Sequence, residues 1–256
     1  MSPADSEIRI IGIRNIPLIK TKDDLGKIIH EAAEKQGTPL LDNDVIVIAQ
    51  KIVSKAEGRL IRLKDVEPSY LAKKVSKRVG KEPELVELIL RESKSIVRME
   101  GSRLITETRH GWVCANSGID KSNVAGGEAV TLLPVNSDRS ASRIRKRLEE
   151  LTGKRISVII SDTFGRPLRE GHVDVAIGVS GIDPILDIRG EKDLFGYVLK
   201  VKQAAVADEL ASAAELVIGN AREAIPAAII RGARYTLSET ARSEKLIRPK
   251  AKDLFI

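Results

Sequence analysis

The stretch ISVIISDTFGRPLREGHVDVAIGVSG, residues 156–181, gives the strongest indication of the fold. Residues 156–160 form an apolar run rich in β-branched side chains, and residues 174–180 have a similar character, so both predict β-strands. The segment 161–171 between them contains glycines, a proline and charged residues, which predicts a polar turn directly after the first strand. The sequence therefore predicts two strands whose connection carries many polar side chains.

Outward from this stretch, helical and strand patterns mix without strict alternation. Strands are predicted at 7–13, 45–49, 95–99, 103–106, 111–113, 129–133 and 227–230, and helices at 24–36, 69–79, 83–93, 141–151 and 203–217. Asn-Ser-Asp at 136–138 is placed to cap the fourth of these helices. The mixture predicts an α+β (mixed α/β) fold with mixed sheets, and not a doubly wound sheet.

No linker, internal repeat or low-complexity tract divides the chain. Residues 1–256 are therefore expected to form a single functional unit. The charged helices within 66–94 are expected to mark one lobe, and residues from about 128 to open another, although no change in composition fixes a boundary. The expected monomer is two-lobed.

The composition limits the class of protein. The chain has one cysteine, which excludes an internal disulfide and a cysteine-cluster zinc site. Residues 1–20 lack a long apolar core, and the longest apolar runs have strand length. Neither a signal peptide nor a membrane helix is expected, and the cytoplasm is the expected location. The net charge of +7 favours anionic partners, whereas an aromatic content of 3% argues against a protein that stacks single-stranded bases.

Ser161, Asp162 and Thr163 follow the first strand and carry the first candidate chemistry. Carboxylate and hydroxyl oxygens are hard ligands that suit Mg²⁺ or Mn²⁺. Arg166 and Arg169 lie in the same connection, and guanidinium groups bind phosphates and carboxylates through paired hydrogen bonds. Taken alone, the segment is also compatible with a capped turn that carries surface arginines.

A second polar loop lies in LITETRHGWVCANSGIDKSNV, residues 104–124. Asp120 is the candidate for a second metal carboxylate. Asn123 is a candidate nucleotide contact or a loop-forming residue, because Asx residues among glycines commonly form turns. We interpret His110 as a structural hydrogen-bonding residue and Cys114 as a small buried side chain without an activating partner.

Two further segments are candidates for nucleotide contacts. Gln50, Lys51 and Lys55 follow the strand 45–49, and two lysines four positions apart can contact successive phosphates, although such lysines also occur on solvated surfaces. The chain contains neither a G-x-x-x-x-G-K-[ST] motif nor a G-x-G-x-x-G motif that opens a helix, so a nucleotide would be bound by other means. The connection at 218–226 could line such a site, and by itself is an ordinary link between a helix and a strand.

Together and in order, these segments resemble the coenzyme F420-0:γ-glutamyl ligase family. The resemblance is carried by LITETRHGWVCANSGIDKSNV (104–124) and IISDTFGRPLREGHVDVAIGVSG (159–181), with support from IPLI (16–19), KIVSKAEGR (51–59), ADELASAAELVIGN (207–220) and IPAAIIRG (225–232). It spans nearly the whole chain.

The resemblance implies a GTP-dependent ligase that adds L-glutamate to the lactyl carboxylate of the deazaflavin F420-0, giving γ-glutamyl F420. Activation of that carboxylate as an acyl phosphate is the mechanism we expect. The resemblance also implies a pair of divalent cations, Mg²⁺ or Mn²⁺, with K⁺ as a further ion. The expected assembly is an intertwined homodimer with its active site at the subunit interface.

Residue roles follow from the matched motifs. Asp120, Asp162 and Thr163 would bind the metals, with Asn220 at a further ligand position. The residues expected around GTP are Ile16, Pro17, Leu18, Ile19, Gln50, Lys51, Lys55, Asn123, Ile218, Gly219, Asn220, Ala221, Arg222, Glu223, Ala224 and Ile225. The expected catalytic set is Asp120, Asp162, Arg166 and Arg169, the two arginines being assigned from residue type and position alone.

Three positions depart from the family pattern. Gln50 stands where a small hydroxyl residue is common, Leu168 where tryptophan is expected, and Asn220 where glutamine is usual. A ligase of the same scaffold that acts on another carboxylate acceptor is therefore an alternative, since metal and nucleotide motifs do not define the acceptor. A basic nucleic-acid-binding protein, suggested by the net charge and the RIRKR run at 143–147, is a remote alternative, and neither nucleic acid nor membrane is the expected partner.

Overall fold

Helices and strands are interspersed along the part of the chain that a computed structural model describes, residues 7–121, 128–219 and 221–253. The helices are α1 (Leu25–Lys35), α2 (Gln50–Ala56), α3 (Tyr70–Val79), α4 (Pro83–Glu92), α5 (Ser137–Thr152) and α6 (Val206–Ile218). The strands are β1 (Arg9–Gly12), β2 (Val45–Ala49), β3 (Leu60–Arg62), β4 (Ser93–Glu100), β5 (Arg103–Thr108), β6 (Val113–Ala115), β7 (Ala129–Thr131), β8 (Ser157–Gly165), β9 (His172–Ile182), β10 (Leu186–Asp187), β11 (Gln203–Ala204), β12 (Ala227–Arg231) and β13 (Leu237–Ser238). Among the described helices, none has the length and apolar character that crossing a membrane requires.

A sheet of six strands forms the centre of the described residues, in the order β1-β12-β2-β8-β9-β13. β2 and β8 run parallel, and the other neighbouring pairs are antiparallel. Val45 and Val47 of β2 belong to the apolar cluster under α6, whereas Ile46 and Ile48 belong to the cluster under α1 and α5. Successive side chains of a strand point to opposite faces, so a strand covered on both faces needs a continuous apolar run. The predicted α+β class is confirmed.

A separate apolar cluster lies in the part of the chain between β2 and α5. It includes Val75 of α3, Ile89 of α4, Leu104 of β5 and Val130 of β7. The two amphipathic helices predicted within 66–94 are therefore present, and they pack on strands other than those of the central sheet. The two-lobed arrangement and the intertwined homodimer stay predictions.

The prediction of a polar turn across 161–171 is wrong for its first half. β8 continues through Gly165 and β9 begins at His172, so only residues 166–171 connect them. The register shifts by one residue after Ile160, which is the signature of a β-bulge. The polar residues remain in the strand because pairing with β9 satisfies their backbone groups, and a single-sequence pattern does not reveal that partner.

Smaller differences concern segments with weak local patterns. The strand predicted at 111–113 lies instead at Val113–Ala115, because Gly111 N donates to the carbonyl of Thr108 and closes a turn there. The helix predicted from residue 203 starts at Val206, because residues 203–204 pair with β10.

The basic run at 143–147 lies on α5, and its arginines are largely paired within the protein. Arg145 is buried and forms two hydrogen bonds of 2.5 and 2.7 Å with the carboxylate of Glu239. Arg143 and Arg147 also form ion pairs with acidic side chains. Arg145 is thus withdrawn from solvent, and the pairing reduces the positive charge that a nucleic acid could contact.

Asn136 caps α5, as the sequence predicts. Its side-chain oxygen accepts a hydrogen bond from the backbone N–H of Arg139 at 2.9 Å. Alanine would leave that N–H without its partner, so we expect Asn136→Ala to lower the free energy of unfolding by about 1 kcal/mol. Urea unfolding followed by circular dichroism measures the loss. Asn136→Asp keeps the acceptor and is the control, and equal losses in the two variants would contradict the capping role.

Candidate active site

A cavity of about 960 Å³ opens beside β2, β8 and β9. Its wall combines the loop before α1, the start of α2, the turn after β6 and the connection between α6 and β12. The sequence-predicted residues that line it are Ile16, Pro17, Leu18, Ile19, Gln50, Lys51, Lys55, Asp120, Asp162, Thr163, Ile218, Gly219, Ala221, Arg222, Glu223, Ala224 and Ile225. Segments far apart in the sequence thus meet in one cavity, and the roles of these residues stay predictions.

β8 and β9 contribute a set of oxygen atoms to this cavity. Asp174 of β9 lies opposite Thr163 of β8 in the sheet. Its two carboxylate oxygens accept hydrogen bonds from Ser161 Oγ at 2.9 Å and from Thr163 Oγ1 at 2.7 Å. Because the Thr163 hydroxyl donates a hydrogen bond to Asp174, its oxygen lone pairs point away from Asp174 and can bind a cation.

Asp162 lies between those two hydroxyl residues in sequence and also lines the cavity. Burial raises the pKa of the Asp162 carboxyl to about 7, and the nearby charges of Asp174 and Asp120 act in the same direction. The backbone N–H of Thr163 and the ammonium group of Lys51 oppose that rise. Burial and the neighbouring carboxylates therefore disfavour the ionised form of Asp162, which a bound cation would stabilise.

Asp120 approaches the cavity from a turn with left-handed backbone. Asn116 and Ser117 have positive φ values of 53° and 55°, a conformation that costs energy for residues other than glycine. Ser117 anchors the turn, since its buried Oγ lies 2.7 Å from the hydroxyl oxygens of both Ser93 and Thr106. This network fixes the backbone that leads to Asp120.

The start of α2 brings positive charge to the same wall. Lys51 Nζ lies 2.8 Å from Oδ2 of Asp120. Burial lowers the pKa of Lys55, and the charge of Lys51 lowers it further. Gln50 is buried, and its side-chain nitrogen donates to Ser54 Oγ at 2.7 Å and to a backbone carbonyl at 3.2 Å. The amide nitrogen of Gln50 thus holds α2 in place, and its expected contact with a nucleotide stays a prediction.

The oxygen atoms in this wall fit a divalent cation by their chemistry. Across residues 7–121, 128–219 and 221–253, no group of three His, Cys, Asp or Glu side chains is arranged to hold one metal ion. Asp120, Asp162 and Thr163 nevertheless supply hard oxygen ligands. The side-chain oxygen of Asn116, also in the cavity wall, is buried without a hydrogen-bond partner and adds a neutral oxygen nearby. A bound cation would favour the ionised form of Asp162, which burial and the neighbouring carboxylates disfavour.

Four predicted site residues are not placed in this wall. Arg166 and Arg169 lie in the connection between β8 and β9 and are not among the described residues that line the cavity. Arg166 donates instead to the backbone carbonyl of Glu170. Asn123 and Asn220 lie outside the described residues. The catalytic role of the two arginines and the ligand roles of the two asparagines stay predictions.

Asp174 and Asn116 also line the cavity, although neither is predicted as a site residue from the sequence. An aspartate at the start of the largely apolar run 174–180 is an available signal, because a buried acid requires partners. The partners of Asp174 become evident only when β9 is paired with β8. Asn116 carried no local signal beyond an Asn-Ser-Gly sequence that is typical of turns.

His110 and Cys114 have the structural roles that the sequence indicates. His110 Nε2 lies 3.1 Å from the backbone carbonyl oxygen of Val135. Cys114 is buried, and burial raises the pKa of its thiol to about 12, which leaves it protonated near neutral pH.

The comparison with known proteins agrees with the resemblance seen in the motifs. Residues 12–232 match the family model described as F420-0:Gamma-glutamyl ligase. A protein of Methanothermobacter thermautotrophicus named coenzyme F420:L-glutamate ligase is 50% identical over 249 residues, covering 97% of this chain and 98% of that protein. Proteins of the same name from Methanocaldococcus jannaschii (47% over 249 residues; 97% of both chains) and Archaeoglobus fulgidus (40% over 242 residues; 93% of this chain and 94% of that protein) are also similar. The match covers the segments that form the cavity, and the chain belongs to the F420-0:γ-glutamyl ligase family.

Proposed function

We propose that this protein is a cytoplasmic ligase that joins L-glutamate to the lactyl carboxylate of coenzyme F420-0, with GTP as the phosphoryl donor. The observation that carries the proposal is the single cavity in which Asp120, Asp162 and Thr163 meet Lys51 and Lys55. Carboxylates beside ammonium groups suit a metal-bound polyphosphate. The relatives named coenzyme F420:L-glutamate ligase support the acceptor and the amino acid.

An amide cannot form directly from a free carboxylate at a useful rate, so the carboxylate must be activated. In the proposed first step, an oxygen of the F420-0 carboxylate bonds to the γ-phosphorus of GTP, and the bond from that phosphorus to GDP breaks. In the second step, the glutamate amine attacks the acyl carbon of the resulting acyl phosphate. Phosphate leaves with the electron pair of the broken C–O bond, and the amine loses a proton to solvent. Holding the three substrates together supplies much of the rate.

The cavity residues have distinct proposed roles in these steps. Lys51 and Lys55 bind phosphate oxygens. Asp120, Asp162 and Thr163 hold divalent cations, Mg²⁺ or Mn²⁺, which supply charge neutralisation for the transferring phosphoryl group. Asn220 is a further proposed ligand, K⁺ a further proposed ion, and Arg166 and Arg169 are proposed to bind a substrate carboxylate or phosphate.

Product analysis tests this proposal. The purified protein is incubated with Mn²⁺, GTP, F420-0 and L-glutamate, phosphate release is followed, and the deazaflavin is examined by mass spectrometry. We expect phosphate release that requires both F420-0 and glutamate, and a product heavier by glutamyl units. Folded protein that turns over GTP only with another carboxylate would refute F420-0 as the acceptor, and the absence of turnover with any acceptor would refute the ligase.

Positional isotope exchange tests the acyl phosphate separately. GTP carrying ¹⁸O in the β,γ-bridge is incubated with enzyme and F420-0 in the absence of glutamate. Reversible phosphoryl transfer frees the β-phosphate of GDP to rotate, so the label is expected to scramble into nonbridging positions. Retention of the label, under conditions where glutamate addition proceeds, would count against a reversibly formed acyl phosphate.

We also propose that the protein is a homodimer, which the exposed segment between β10 and β11 supports. Leu194, Phe195 and Val201 are 100%, 96% and 86% exposed in the isolated chain. Several large apolar side chains exposed in one segment usually mark a contact surface. We expect the wild-type protein to be dimeric in light scattering and the double variant Leu194→Asp/Phe195→Asp to be monomeric. Lys200→Asp in the same segment is the control, and a dimer that survives the double variant would contradict this assignment.

A further inference from the structure

The solvent face of α3 is positively charged along its length. The helix reads YLAKKVSKRV and contains no acidic residue. Its buried residues recur at spacings of three and four, so the remaining positions share the opposite face. The cations on and directly after that face are the exposed residues Lys73, Lys74, Lys77 and Arg78 and the half-buried Lys81. We call these five residues the α3 stripe.

The charge of the α3 stripe is not neutralised by neighbouring carboxylates. None of the ion pairs that the described residues form includes any of its five side chains, whereas Arg91 of the adjacent helix α4 pairs with Glu87 at 2.8 Å. Lys74 Nζ instead lies 4.7 Å from the centre of the Tyr70 ring. Like charges at this density repel one another, so a ligand with several negative charges would be attracted to the stripe.

The α3 stripe ends beside the candidate active site. Lys81 precedes Glu82, and the carboxylate of Glu82 pairs with Lys121. Lys121 in turn follows Asp120, which lines the cavity. Consecutive Cα atoms are about 3.8 Å apart, so two chain steps and one ion pair separate Lys81 from the cavity wall. The stripe therefore leads from the rim of the cavity outward along α3.

The product of the proposed reaction carries the complementary charge. Each added glutamate brings an α-carboxylate and a new γ-carboxylate, which the same two steps can activate with GTP and extend. A γ-linked chain has five main-chain atoms per unit, so its α-carboxylates recur about every 6 Å when it is extended. Residues four apart in an α-helix are also about 6 Å apart along the axis, so the pairs Lys73–Lys77 and Lys74–Arg78 have the same spacing.

We propose that the α3 stripe binds the oligo-γ-glutamyl tail of an acceptor that already carries glutamate, and thereby favours further additions. The inference rests on the proposed function and assigns an acceptor class to it. The γ-carboxylate at the end of the tail lies in the cavity, and the α-carboxylates behind it lie along the stripe. Each unit added places one more carboxylate against a cation, so the affinity for the acceptor rises with the length of its tail.

Acceptor kinetics at low salt test this inference. For the wild type, we expect the KM of an acceptor with one glutamate to be about threefold lower than that of F420-0, and with two glutamates about tenfold lower, because each carboxylate adds an exposed ion pair. The variant Lys73→Gln/Lys77→Gln/Arg78→Gln is expected to lose this dependence, to keep its KM for F420-0 within about twofold, and to form shorter products. A wild-type KM that does not fall with tail length, or a variant that retains the dependence, would overturn the proposal.

A matched control separates the stripe from a general effect of net charge. Lys35→Gln/Lys146→Gln/Lys252→Gln also removes three exposed cations, but from α1, α5 and the segment near residue 252. It is expected to keep the dependence of KM on tail length. An equal loss in this control would contradict a specific role for α3. High salt is expected to weaken the dependence in the wild type, because it screens exposed charges.

Binding without turnover tests the spacing argument. γ-Linked tri-L-glutamate and α-linked tri-L-glutamate carry the same charges, but the carboxylates of the α-linked chain recur about every 3.4 Å and alternate in side. Each peptide is titrated into the protein while the amide signals of α3 are followed by nitrogen-15 NMR. We expect the γ-linked peptide to bind to α3 of the wild type at least about threefold more tightly, and this preference to be absent in the triple α3 variant.

Equal affinity for the two peptides would show a general polyanion surface and would overturn the proposal, as would the absence of binding at α3. No ligase substrate is needed for this titration. Preferred binding of the γ-linked peptide without any glutamate addition would refute the proposed function alone. Glutamate addition whose KM is independent of tail length would refute the role of the α3 stripe alone.

Discussion

Asp162→Asn is expected to lower kcat/KM for glutamate addition by at least about a thousandfold. The substitution preserves the shape of the side chain but removes the charge that a divalent cation would bind. Product formation is measured by mass spectrometry, and Mn²⁺ affinity by electron paramagnetic resonance, with both expected to fall. Asp65→Asn, a surface carboxylate paired with Arg62, is the matched control and is expected to keep full activity. Activity of Asp162→Asn within tenfold of the wild type would contradict the metal-ligand role.

The same substitution is expected to stabilise the metal-free protein at alkaline pH. The folded-state pKa of Asp162 is about 7, raised from the ordinary value of 3.8. Between these values the folded state binds more protons than the unfolded state, so the free energy of unfolding falls as the pH rises through this range. Above it, the charge costs about 2 kcal/mol, a value that is reduced for the partial exposure of Asp162.

Urea unfolding in EDTA measures this cost. Asp162→Asn is expected to be more stable than the wild type at pH 8. Near pH 4 the difference is expected to be small, because the wild-type carboxyl is then protonated in the folded state and partly protonated in the unfolded state. A wild type that equals or exceeds the variant at pH 8 would show that the free carboxylate is already compensated. The variant would thus lose function while gaining stability, which is typical of a charge retained for chemistry.

Asp174→Asn is expected to lower kcat/KM by about a hundredfold although Asp174 is assigned no contact with substrate. Asp174 accepts hydrogen bonds from both Ser161 and Thr163, and it is 4% exposed. An amide in its place offers one oxygen and one N–H₂ group, so one of the two hydroxyls must reverse its hydrogen bond. When Thr163 reverses, its hydroxyl proton points towards the proposed metal position.

A positioning role for Asp174 predicts a specific pattern among variants. Asp174→Asn should weaken Mn²⁺ binding without a large change in the midpoint of thermal unfolding. Ser161→Ala removes only the hydrogen bond that the Ser161 hydroxyl donates to Asp174, and it is expected to lower activity less than tenfold. A loss of activity in Ser161→Ala that equals the loss in Asp174→Asn would argue that Asp174 acts through general packing and not through Thr163.

The parts of the fold that could be predicted are those encoded by short-range patterns. The run at 45–49 is apolar at every position, and it is the buried strand β2 with the same bounds. The two amphipathic helices near 69–93 are found within two residues of their expected ends. In each of these cases, the local pattern and the surrounding structure agree.

The parts that could not be predicted depend on partners distant in the sequence. The extent of β8 is set by its pairing with β9, and the burial of Arg145 is set by Glu239, which lies 94 positions further along the chain. Asp174 is a comparable case within the site, because its importance follows from facing Thr163 across the sheet. The motifs indicate that Asp120 and Asp162 are both metal ligands. The hydrogen bonds that orient Ser161 and Thr163 beside Asp162 are seen only in the three-dimensional structure.

Anomalous diffraction from crystals of the protein with Mn²⁺ and GTP tests the central claim most directly, namely that this cavity is the metal-dependent site of phosphoryl transfer. We predict Mn²⁺ coordinated by the carboxylates of Asp120 and Asp162 and by the hydroxyl of Thr163, with GTP phosphates between the metal and Lys51 and Lys55. Mn²⁺ or GTP bound only outside the cavity would contradict that claim.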